Sequence, residues 1–77
     1  MKKNYTIDAL WDEAAKVWVA SSTDVPGLCT EAATMEKLLK KLDVMVPELL
    51  KENGMLRARK TIPFTVLSEM NAVAHVH

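Results

Sequence analysis

A single cysteine, Cys29, leaves the chain unable to close a disulfide within itself, so its fold does not depend on an oxidising compartment. Only two glycines occur, Gly27 and Gly54, and no glycine-rich phosphate loop is present. No apolar run approaches membrane-spanning length. Met1-Lys2-Lys3 has the basic start of a signal peptide, but Asn4, Thr6 and Asp8 interrupt the apolar segment that would have to follow. A cytoplasmic domain without membrane contact is expected. Both histidines, His75 and His77, lie in the last three residues, so Cys29 has no neighbouring base in the sequence and no Ser-His-Asp arrangement is available. Two imidazoles on a terminal segment also fall short of a metal site. The expectation is therefore a non-enzyme without cofactor.

Charge of one sign is missing as well: 10 Lys and Arg balance 10 Asp and Glu. That argues against a nucleic-acid binder relying on an overall basic surface. The cluster Arg57, Arg59, Lys60 lacks interleaved aromatics and reads as an exposed connector rather than an RNA grip. The zero net charge hides an asymmetry. Residues 1–36 hold three Lys and six acids, whereas residues 37–77 hold seven basic groups and four acids. The front of the chain would steer a basic partner toward itself.

What is present is enough apolar residue, 49% of 77, for one small domain spanning residues 1–77. Tyr5, Ile7, Ala9 and Trp11 alternate with Thr6, Asp8 and Leu10, the period of a strand with two different faces. After the polar segment 12–16, Val17 to Ser22 reads as a second strand closing a hairpin. Val25-Pro26-Gly27 predicts a type II turn, with Gly27 at the position that needs a positive φ. A short strand over Leu28 to Ala32 follows.

Thr34 is an N-cap candidate, and Glu36 complements the positive end of the helix dipole. From there the period changes: Met35, Leu38, Leu39, Leu42, Met45, Val46, Leu49 and Leu50 form one stripe of an amphipathic helix. Pro47 lies inside that stripe and predicts a kink near residues 43–47, and Asn53-Gly54 predicts the stop. Ile62 to Leu67 reads as a fourth strand confined to an edge by Pro63, which residues 72–77 either extend or leave as a frayed end. The expected fold is α+β, in the order β-β-β-α-β, with one amphipathic helix on an antiparallel sheet.

One helix covers a band about 10 Å wide, against a four-strand sheet about 15–20 Å wide. Apolar surface is left over, and it predicts a contact surface unless Trp18 simply folds against Trp11 at its own hairpin.

The ordered series Val17-Trp18-Val19-Ala20-Ser21-Ser22-Thr23-Asp24-Val25-Pro26-Gly27-Leu28-Cys29-Thr30-Glu31-Ala32, followed by Thr34-Met35-Glu36-Lys37-Leu38, resembles the HicB antitoxin family. Trp11-Asp12 and Pro47-Glu48-Leu49-Leu50 point to its small branch, and the resemblance runs over roughly residues 4–67. It implies a truncated ribonuclease H-like sheet and a role in binding and masking a small basic HicA-like ribonuclease toxin. Members of the family commonly append a DNA-binding segment, for which a chain ending at His77 leaves no room, so direct nucleic-acid binding is not expected. The residues expected to meet a partner are Trp11, Trp18, Ala20, Asp24 and Glu31. A homodimer or higher homo-oligomer is expected as well, seamed by Thr65, Val66, Leu67 and Val73. Two alternatives stand beside this: a partnerless homo-oligomeric domain, and a metal-dependent nuclease using Asp8 with Glu36 or Glu69.

Overall fold

A computed structural model describes residues 4–55 and 61–77. Strand β1, Tyr5–Asp12, is followed by β2, Val17–Ser21, and β3, Cys29–Ala32; helix α1, Met35–Glu52, then leads to β4, Phe64–Glu69. The basic connector expected at residues 57–60 lies outside the described residues.

The sheet order is β3-β2-β1-β4. The three-strand meander is antiparallel, with Ala9 opposite Ala20 and Trp18 opposite Ala32. The fourth strand corrects the antiparallel expectation. It lies parallel to β1, Tyr5 beside Phe64 and Ile7 beside Val66, so the sheet is mixed. The cause is topological: three meander strands leave the chain running in the direction of β1, and a helix that returns it to its starting end makes the next strand run the same way.

Alternation decides what meets the helix. Tyr5, Ile7, Ala9 and Ala20 are buried beneath Leu38, Leu42, Val46 and Leu50, with Val25, Leu28 and Ala32 completing the core. Ala9 and Ala20, paired across the hairpin, keep the sheet surface low where the helix must approach. Leu39 is the exception in the predicted stripe, remaining 42% exposed at its flank.

Local chemistry sets the ends. The Thr34 hydroxyl accepts from the Lys37 backbone N–H at 3.1 Å, and the helix continues unbroken through Pro47 to Glu52. Gly54 has φ +67°; its N–H donates to the Lys51 carbonyl at 3.1 Å while the Met55 N–H donates to Leu50 at 2.8 Å, the paired bonds of a Schellman stop. At the predicted turn the Leu28 N–H donates to the Val25 carbonyl at 3.1 Å, and Gly27 has φ +85°.

The final strand stops at Glu69 rather than reaching Val76. Residues 70–77 have no regular structure and are exposed throughout, with Val73 at 82% and Val76 at 100%.

Candidate functional site

The side of the sheet opposite α1 is built by residues the core does not use. Across it, the pairing aligns Glu69, Leu10, Val19 and Glu31 in one row and Leu67, Asp8, Ser21 and Cys29 in the next. Thr65 and Thr6 lie beyond the second row, and Asp12 and Val17 beyond the first. Leu10 and Leu67 are each 56% exposed, and Val17 and Val19 are half-buried.

Four carboxylates therefore surround a low apolar ridge: Asp8, Asp12, Glu31 and Glu69, all exposed. Among the described residues no strand contains a lysine, arginine or histidine. Nor does any of these carboxylates take part in an ion pair there; the pair that does form, Lys16 with Glu13, lies in the hairpin loop. A face that is apolar in the middle and anionic at its rim has the arrangement found in protein contact surfaces, and its charge would attract cationic groups rather than anionic ones.

The expected partner-binding residues separate under this geometry. Glu31 lies on the open face. Ala20 is fully buried under the helix and cannot meet a partner, because the strand period puts it beside Ala9 rather than outward. Trp18 shares Ala20's side and packs against the core, so the open face is not built around it. Trp11 and Trp18, paired across the hairpin, meet edge to face with ring centroids 5.4 Å apart. The Trp11 indole N–H donates to Glu13 at 2.6 Å. The Lys16 ammonium, hydrogen-bonded to Glu13, and then that indole hold the Glu13 carboxyl below the usual carboxylate range.

Asp24 has a scaffold task. Its carboxylate accepts from the Thr6 backbone N–H at 2.8 Å, while the Ser22 hydroxyl donates to the Thr6 carbonyl at 2.6 Å and accepts from the Asp24 and Val25 N–H groups. The β2 ladder ends at Ser21, opposite Asp8. Ser22 and Asp24 thus satisfy the next β1 backbone groups and fasten the turn to the sheet, which lets Val25 plug the core.

Of the seam residues, Thr65 and Leu67 face the open side and Val66 the helix side of β4, and Val73 lies beyond the strand. Asp8, Leu10 and Val19 were absent from the expected partner-binding set although the alternation of β1 and β2 contains them. The missing information was which alternating set α1 covers.

The carboxylates named for a nuclease do not converge. Asp8 and Glu69 are on the open face, whereas Glu36 is on the helix across the sheet. Among the described residues no three His, Cys, Asp or Glu are grouped closely enough to hold a metal ion, and no helix is long and apolar enough to cross a membrane.

Residues 4–77 match the family described as "Domain of unknown function (DUF1902)". No curated protein matches the chain. Among solved structures it is similar to a hypothetical protein, TTHA1013, from the extremely thermophilic bacterium Thermus thermophilus: 51% identical, covering 95% of this chain and 99% of that one, with a TM-score of 0.70. Identity at that level over nearly both whole chains makes the fold a shared architecture rather than a local likeness.

Proposed function

The chain belongs to the DUF1902 family of domains of unknown function, and we propose that it works as an antitoxin-like binding module whose open sheet face occupies a small basic protein. The observation that carries the reading is the face itself: Asp8, Asp12, Glu31 and Glu69 around Leu10 and Val19, with no cation in any described strand. Apolar contact would supply the buried centre, and the carboxylates would steer a cationic partner and reject anionic ones. A duplex or single-stranded nucleic acid would be repelled by the same face.

The sequence resemblance to HicB antitoxins supplies the partner's chemical class, a small basic HicA-like ribonuclease. Occupying the cationic surface with which such an enzyme holds RNA would neutralise it. The order β-β-β-α-β and the mixed sheet are compatible with a truncated ribonuclease H-like arrangement, which belongs to this proposal.

The test is coexpression with a small basic HicA-like ribonuclease, taken from an adjacent reading frame where one encodes it, followed by an RNA-cleavage assay. The intact chain should form a complex and suppress cleavage; Asp8→Lys combined with Glu31→Lys should abolish both while the fold persists by circular dichroism. Cleavage unaffected by the intact chain, or a complex indifferent to the double reversal, would reject the reading.

A further inference from the structure

The segment 70–77, Met-Asn-Ala-Val-Ala-His-Val-His, contains no acid, lysine or arginine. It leaves the body of the domain with Met70 at 51%, Val73 at 82% and Val76 at 100% exposure. Among the described residues no backbone hydrogen bond ties it to a strand or turn of its own chain. Nevertheless the family match continues to residue 77.

The chain as a whole is more extended than a compact one of its mass. A compact chain of 8.6 kDa should expose about 4,700 Å², whereas this one exposes 5734 Å². Its radius of gyration is 14.5 Å, against about 11–12 Å for a compact chain of this length.

A receptor for the arm lies beside its own root. β4 is an edge strand, paired only on its β1 side, so its outer backbone groups are open to an added strand. The backbone of α1 approaches β2 and β3 most closely, and Phe64 and Val66, on the helix side of β4, pack against the core yet stay half-buried. Leu67 is exposed on the other side. The arm does not fold back along its own strand: residues 70–77 have no regular structure, and among the described residues no backbone hydrogen bond returns them to β4.

From these placements we infer that two copies exchange arms, residues 70–77 of each lying along β4 of the other and covering Phe64, Val66 and Leu67. Charge favours this seam over the open face. Two open faces would oppose carboxylate to carboxylate, whereas β4 and the arm together carry one acid, Glu69. A twofold arrangement is self-complementary, since each copy supplies both an arm and a receptor. It also leaves Asp8 and Glu31, away from β4's outer edge, free for a different partner.

Sedimentation equilibrium of the full chain in the micromolar range should return twice the chain mass of 8.6 kDa. Amide hydrogen exchange should show protection within residues 70–77, for which no backbone hydrogen bond among the described residues accounts. The double variant Val73→Asp, Val76→Asp should keep the wild-type circular dichroism, because both side chains are exposed in the single chain, and halve the mass while the arm exchanges freely. Asp8→Lys with Glu31→Lys should leave the dimer intact, which separates this seam from the partner-binding face. A monomeric wild type, an unprotected arm, or a dimer that survives both aspartates would overturn the inference.

Discussion

Two residues show how a side chain's chemistry is used on its own backbone. Asp24 substitutes for the ladder partner that β1 lacks at Thr6, so Asp24→Ala should destabilise the domain by about 1–3 kcal/mol, the cost of leaving a partly buried N–H unsatisfied. Equilibrium urea unfolding measures it. At the hairpin Lys16 has φ +58° while its N–H donates to the Asp12 carbonyl at 2.7 Å. A β-branched residue tolerates that backbone badly, so Lys16→Val should cost about 1–2 kcal/mol while Lys16→Gly stays within about 0.5 kcal/mol of wild type. Equal losses in the two variants would assign the effect to the exposed Lys16–Glu13 pair rather than to the backbone. Acid should weaken that pair: the Glu13 carboxyl is depressed in the folded chain, so its contribution is present above the ordinary carboxylate range and is lost as pH falls through the lowered folded value.

At the scale of elements, the helix is the part most legible in the sequence, because a 3.6-residue period and chemical stops coincide. Leu38, Leu42, Val46 and Leu50 are its fully buried line. Leu42→Ala should cost about 2–5 kcal/mol as other buried leucine truncations do, and a loss under about 0.5 kcal/mol would mean the helix packs by another face. The opposite change probes the sheet. Ala20→Leu places a larger side chain where Ala9 and Ala20 let the helix approach and should cost about 1–3 kcal/mol by overpacking, read from the same unfolding curves. The strands were legible as alternating runs, but alternation is symmetric. Trp18 and Ala20 on one side and Val17 and Val19 on the other are equally good halves of a strand. Burial chose the half with the small residue, because a helix can sit close on Ala20 and not on a ridge of valines. The direction of β4 was hidden for a different reason: periodicity marks a strand without giving its polarity, which here follows from the crossover through α1.

For the whole molecule, the core and the proposed binding surface lie on opposite faces of one sheet, and this separation makes the functional reading testable without unfolding the protein. The core contains no buried polar or charged residue among those described, so the acidic face contributes nothing by burial. Its carboxylates are all exposed, so their mutual repulsion is weakened by solvent and salt, with a screening length of about 8–10 Å. Neutralising two of them, Asp8→Asn with Glu31→Gln, should therefore change unfolding stability by no more than about 0.5 kcal/mol. The same change should slow association with a basic partner and flatten the salt dependence of its on-rate, since steering depends on the charge of the face. Stopped-flow association at several ionic strengths, beside urea unfolding of the same variant, separates the two effects. A large loss of stability would place the carboxylates in the structural framework. An on-rate with unchanged magnitude and salt slope would remove the open face from the encounter, leaving the helix side and its half-buried tryptophans as the surface to examine.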